Sequence, residues 1–160
     1  MSQEQELFHW TGEFSIGLEE IDEQHMELVR LLNELHQAII ERHATSTCRE
    51  ILGALTDYTR THFAVEESLM RISGYPEFAE HKQSHEDLIA QVLALQDKLD
   101  SGEARITFEL LHFLKQWLIH HINESDRRFG QYFLKAGGRP RGSAEFKAAM
   151  RERKPWWKIW

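Results

Sequence analysis

A chain of 160 residues with 41% apolar and 28% charged side chains amounts to one globular domain, neither disordered nor fibrous. No apolar run nears the roughly 18 residues of a membrane-spanning helix, and the polar stretch Met1–Glu6 has no signal-peptide core, so a cytoplasmic location is expected. Residues 1–138 carry 12 Lys+Arg against 24 Asp+Glu and residues 139–160 carry 7 against 2, so the body is acidic and unsuited to nucleic acid.

Residues 1–18, with Phe8, Trp10, Phe14 and Ile16, have no helical period and are expected to lie across the rest as an arm. Ile21, His25, Leu28, Leu32, Leu35 and Ile39 then step alternately by four and three, predicting a helix over 19–43. Ile51, Leu55, Tyr58, His62, Val65 and Leu69 predict a second over 48–73, and Thr47-x-x-Glu50 reads as a capping box that opens it. Gly74-Tyr75-Pro76 ends that helix, since glycine accepts a left-handed cap and proline cannot continue the ladder. Phe78, His81, His85, Leu88, Val92, Leu95 and Leu99 predict a third over 77–101, closed by Ser101-Gly102. Leu111, Leu114, Leu118 and His121 predict a fourth over 105–135. Links this short make neighbours antiparallel, so the fold class is all-α, an up-down-up-down four-helix bundle over 1–138 followed by a basic, Trp-rich extension.

Every stripe is interrupted by histidine at a core-facing position. One such residue is ordinarily a satisfied core histidine. Five of the ten histidines, spread over all four helices, are harder to account for that way, because each unpartnered buried imidazole costs roughly 1–3 kcal/mol. His62 and Glu66 stand four residues apart, as do His81 and His85, so each pair shares a helix face. His121 and Asp126 stand five apart, about 140° round an ideal helix, which calls either for a distorted helix or for a side chain reaching round it. With a rise of about 1.5 Å per residue, all seven fall in one slab of the half of the bundle nearer the 73–77 turn. Five imidazoles and two carboxylates exceed the needs of one zinc. They suit two octahedral ions that share both carboxylates and one oxygen, with a single coordination position left open, and the donor set suits iron.

Ile21-Asp22-Glu23-Gln24-His25, His62-Phe63-x-x-Glu66-Glu67-x-x-Met70, His81-x3-His85 and Trp117-Leu118-x-x-His121-Ile122-x3-Asp126 together resemble the hemerythrin signature, in its single-domain bacterial form. The resemblance implies that His81, His85 and His121 hold one iron and His25 and His62 the other. It also implies that Glu66, Asp126 and an oxo or hydroxo group bridge the two irons. Dioxygen is then taken end-on at the His25/His62 iron, inside an apolar pocket of Leu28, Phe63, Trp117, Leu118 and Ile122, each of which also reads as ordinary core. The implied function is reversible dioxygen carriage, storage or delivery rather than catalysis. The alternatives are a sensor of oxygen, nitric oxide or redox state acting through a partner, and a di-iron peroxidase or scavenging enzyme. His9, His36, His43, His112 and His120 are not expected to be ligands, and Cys48, the lone cysteine near a helix start, is expected to be a free thiol without a redox role.

Residues 139–160 combine seven basic side chains with Phe146, Trp156, Trp157, Ile159 and Trp160. Cationic-aromatic composition suits an anionic membrane surface, a membrane-associated oxidase or another partner, and equally suits docking onto the chain's own acidic body.

Overall fold

The computed structural model describes residues 6–103 and 105–136; the extension over 139–160 lies outside the described residues. Helices α1 (Glu19–Ile40), α2 (Thr45–Ser73) and α3 (Phe78–Asp100) are joined by short turns to a fourth rod. That rod is built of α4 (Phe108–His121), a π-helical turn (Ile122–Asp126) and α5 (Arg127–Lys135). The four rods form an antiparallel bundle, and no strand occurs among the described residues. The stripes face inward as the periodicity requires. Ile21, Leu28, Leu32 and Leu35 of α1 are buried against Leu55, Tyr58, Val65 and Leu69 of α2, Leu88, Val92 and Leu99 of α3, and Leu111, Leu114 and Leu118 of α4.

Helix ends depart from expectation in three places. Helix α1 stops at Ile40, where Arg42 turns left-handed (φ 56°) and the His43 amide bonds the Ala38 carbonyl at 2.9 Å. The capping box at Thr47 does not form: α2 begins at Thr45, the Ala44 carbonyl accepts the first helical bond from the Cys48 amide, and Thr47 already lies inside the first turn. The hydroxyl that does cap is on Thr107, which accepts from the Leu110 amide at 3.2 Å and opens α4 three residues later than the pattern suggests. Gly74 caps α2 as expected, with φ 67° and the Tyr75 amide on the Met70 carbonyl. Cys48 is a free, buried thiol in the first turns of α2.

The arm is tied to α1 and α5. Phe8 is fully buried and its backbone is read twice by Asn33, which accepts from the Phe8 amide at 2.9 Å and donates to the Phe8 carbonyl at 2.8 Å. Asp22 accepts from the Ile16 amide at 2.9 Å and from the Ser15 hydroxyl. The Arg127 guanidinium donates to the carbonyls of Ser15 (3.1 Å) and Glu13 (2.6 Å). The arm meets α5 so closely at Gly130 that a Cβ there would lie 2.7 Å from the Ile16 carbonyl oxygen, a backbone atom that cannot swing aside. A Cβ at Gly53, inside α2, would meet nothing within 4 Å. The same substitution should therefore have opposite signs at the two sites. Gly53→Ala gains roughly 1 kcal/mol of helix propensity. Gly130→Ala loses about 1–3 kcal/mol to the forced backbone shift, which outweighs that gain. Urea unfolding of the two variants checks both signs.

Candidate metal centre

The seven singled-out residues converge. His25, His62, Glu66, His81, His85, His121 and Asp126 are all buried, on α1, α2, α3 and the fourth rod. The awkward step from His121 to Asp126 is resolved by distortion of the helix. Residues Ile122–Asp126 form a π turn, whose i to i+5 repeat brings the two side chains onto one face, with His121 Nε2 3.0 Å from Asp126 Oδ1.

The donor atoms fall into two overlapping groups, each with ligand atoms within 4.8 Å of one another. One comprises Glu66, His81, His85, His121 and Asp126, the other His25, His62, Glu66 and Asp126. Both carboxylates belong to both groups. Asp126 turns Oδ1 to the Nε2 atoms of His81 and His121, each at 3.0 Å, and Oδ2 to His25 Nε2 at 3.0 Å. Glu66 Oε2 lies 3.4 Å from His62 Nε2 and 3.6 Å from His85 Nε2, and Oε1 lies 3.9 Å from His81 Nε2.

These approaches are close without being satisfied. Neither oxygen of Glu66, neither oxygen of Asp126, nor Nε2 of His25 or His81 has a hydrogen bond of acceptable geometry. Six polar atoms without partners inside one bundle are costly as a purely structural arrangement. They lie among donor atoms gathered within 4.8 Å of one another, which is what cations held among them require.

Tautomers are set from outside. His62 donates its Nδ1 proton to the side-chain Oε1 of Gln24 at 2.6 Å, and His85 donates its Nδ1 proton to Glu67 at 3.0 Å, which leaves each Nε2 unprotonated on the side of the centre. Neither partner was singled out by the stripe pattern. The available signal is that each sits next to a site residue in sequence, Gln24 beside His25 and Glu67 beside Glu66.

Burial holds His62, His81 and His85 below the ordinary imidazole range, so all three are neutral and able to coordinate. Burial and then the neighbouring Asp126 charge push Glu66 well above the usual carboxylate range. Burial acts on Asp126 in the same sense, yet the imidazoles of His121, His25 and His81 overcome it and hold Asp126 well below its ordinary value.

Directly beside the donors lies an apolar cavity of about 50 Å³, a few water molecules' worth of space. Phe63 and Trp117 line it and stack on the donors themselves, Phe63 on His85 (centroids 3.6 Å, 4° between planes) and Trp117 on His121 (4.4 Å, 12°). Leu28 and Leu118 also line it, whereas Ile122 is fully buried without reaching its wall. Its hydroxyls are turned away: Thr56 donates to the Leu52 carbonyl and Thr59 to the Leu55 carbonyl. A water inside would find few partners, and apolar cavities of this kind stay dry. His9, His43, His112 and His120 are exposed, and His36 packs edge-on against Phe108, away from the centre.

With this geometry in hand, likeness to known proteins is informative. The profile described as the hemerythrin HHE cation binding domain matches residues 16–133. The chain belongs to the hemerythrin family. Bacteriohemerythrin of Stenotrophomonas maltophilia (strain R551-3) is 38% identical over 125 residues, spanning 77% of this chain and 79% of that protein. Bacteriohemerythrin of Methylococcus capsulatus (strain ATCC 33009 / NCIMB 11132 / Bath) is 36% identical over 128 residues, spanning 78% and 95%. A crystal structure of wild-type hemerythrin superposes with a TM-score of 0.75 at 34% identity, covering 78% of this chain and 96% of that one. Family membership and the buried His/Glu/Asp cluster together support a non-haem iron protein whose centre fits two irons. No helix among the described residues is long and apolar enough to cross a membrane.

A pH effect follows for the metal-free protein. Three buried imidazoles titrate below 6.5 when folded and take up protons near 6.5 when unfolded, so the unfolded state binds more protons and stability falls as pH drops from about 6.5. Glu66, raised, acts in the opposite sense, with its contribution lost as pH rises from about 4.5 toward its folded value. Three groups against one set the net sign. Urea midpoints of the metal-free chain should be lower at pH 5.5 than at pH 7, and loading with metal should raise both.

Proposed function

We propose that this chain binds dioxygen reversibly at a non-haem di-iron centre and serves as an oxygen carrier, store or delivery protein. On this reading His81, His85 and His121 hold one iron, His25 and His62 hold the other, and Glu66 and Asp126 bridge them. The observation that carries it is the sharing of both carboxylates between two donor groups, beside an apolar cavity that Phe63 and Trp117 line. When bound, a ferrous pair would supply the two electrons that a diatomic ligand takes up.

The chain's own residues account for binding without further chemistry. Five neutral imidazoles and two carboxylates deliver less negative charge than the glutamate-rich sets of ferritin-like di-iron proteins, and so stabilise highly oxidised iron less. Phe63, Trp117, Leu28 and Leu118 admit a small apolar gas and exclude the water and protons that would carry a reduced ligand away. Gln24 and Glu67 keep His62 and His85 in the coordinating tautomer. The described residues around the cavity offer no side chain placed as a general acid or base, which favours carriage over a peroxidase or scavenging enzyme.

Reconstitution with ferrous iron should give two irons per chain and a coloured, oxygenated form that returns to the diferrous spectrum when oxygen is removed, over many cycles. A protein left diferric after one exposure is an oxidase, and a lone metal per chain overturns the reading. A response that appears only with a partner present identifies the sensor.

The same reading extends to residues 139–160, which lie beyond the family match at residue 133. Seven basic residues and three tryptophans fit an anionic membrane surface, where a carrier would stand close to a membrane-associated oxidase. Cosedimentation with phosphatidylserine vesicles at low salt, lost on truncation after Gly138 and without change in the oxygen spectrum, is the expected outcome. Salt-sensitive docking onto the acidic body, with no vesicle binding, is the competing one.

A further inference from the structure

Behind their shared carboxylates the two halves of the centre are not alike. In the three-imidazole half, His85 donates its Nδ1 proton to Glu67, a carboxylate whose side chain is only 13% exposed. The other half has no charged counterpart among the described residues. His62 donates to the neutral amide of Gln24, and Nδ1 of His25 has no hydrogen bond. We propose that Glu67 and Gln24 set an order of metal loading, with the His81/His85/His121 half filling first and releasing its metal last. This rests on the two-metal reading given above.

The physical basis is local. A hydrogen bond to an ionised acceptor is roughly twice as strong as one to a neutral acceptor. It also pushes electron density through the ring onto Nε2, making that atom a better donor to a cation. Glu67 is shielded from water, so its charge is felt at the ring more strongly than a solvated carboxylate's would be. Phe63 stacked flat on His85 stops the ring from rotating away from either partner. Donor number acts in the same direction, with five residues in the first group and four in the second. Glu67 and Gln24 touch no metal themselves and act through the imidazoles, so they are positioning and tuning residues.

The test is titration of the metal-free full chain with cobalt(II), followed by its visible absorption and by competition with a chelator. Two steps are expected. Glu67→Gln should weaken the tighter step by about tenfold or more while leaving the weaker one nearly unchanged. Gln24→Glu should tighten the weaker step by a comparable factor. Glu86→Gln, on the exposed face of α3 where Glu86 pairs with Lys82, should move neither. Thermal melts of the metal-free variants report fold separately, since a merely structural role would lower the melting point and weaken both steps together. The proposal is overturned by equal loss in both steps, or by a tight step indifferent to Glu67→Gln. If Glu67→Gln does not fold, Gln24→Glu decides alone, and a weaker step that fails to tighten overturns the proposal. Uptake of only one cobalt per chain would instead sink the two-metal reading, whereas two steps untouched by either variant would leave that reading standing and sink only the loading order.

Discussion

Everything in this bundle is arranged around a conflict that its own side chains cannot resolve. Glu66 and Asp126 are fully buried and carry unsatisfied oxygens, while five imidazoles crowd them at 3.0 to 3.9 Å without hydrogen-bond geometry. Taking one unpaired carboxylate out of water costs several kcal/mol. The opposite directions of the two carboxyl groups, Glu66 driven toward its neutral form and Asp126 held as the anion, express the same strain. A proton relieves Glu66 alone, and His62, His81 and His85, kept neutral by burial, bring no positive charge to balance Asp126. Cations can supply it, since the donor atoms of each group already lie within 4.8 Å of one another. The apolar stripes must therefore supply enough packing to carry a destabilised interior until metal arrives.

How that interior is held shows why some of it was legible from sequence and some was not. The 3-4 stepping of Ile21, Leu28, Leu55, Val65, Leu88 and Leu114 fixes which faces are inward, and the histidines on those faces come with them. Periodicity cannot say how a helix departs from its own period. The five-residue step from His121 to Asp126 flagged a departure, and the π turn over Ile122–Asp126 supplies it. Nor does a stripe say which nitrogen of an imidazole faces in. That is decided by Gln24 reaching from α1 to His62 on α2, and by Glu67 reaching from α2 to His85 on α3, contacts that exist only once helices are packed. The error at Thr47 is of another kind. A capping box is a local pattern, and here the chain turns at Ala44 before that pattern can act.

The π turn survives because both of its flanks are tied down. On one side Trp117 stacks on His121, and on the other Arg127 grips the carbonyls of Glu13 and Ser15 in the arm. Further along α5, the Tyr132 hydroxyl reaches the carbonyls of Ser73 and Gly74 at 2.8 and 3.0 Å, binding the rod to the end of α2. A wider helical turn has poorer packing than an α turn and persists where its surroundings over-determine it. The arm therefore does more than cover the core. Through Arg127, and through Gly130 pressed on Ile16, it fixes the register of the rod that delivers Asp126.

Metal and gas make opposite demands on a protein interior, and the proposed function requires this fold to meet both side by side. A cation needs convergent lone pairs and tolerates no apolar gap around it; an apolar diatomic needs a space with nothing to bond, because any water held there must be displaced at a cost. Between the donors and the cavity stand two aromatic rings, each stacked on a donor imidazole and lining the cavity: Phe63 over His85 and Trp117 over His121. Beyond them, Thr56 and Thr59 turn their hydroxyl protons back onto their own helix, so even the polar residues of the wall present few groups for water to hold. Adding a polar group to that wall would leave the donor geometry untouched and still abolish the separation, since a hydrated cavity supplies protons directly to the centre. On the proposed function, the apolar wall at Phe63 and Trp117 is thus as much a part of the site as the seven donors.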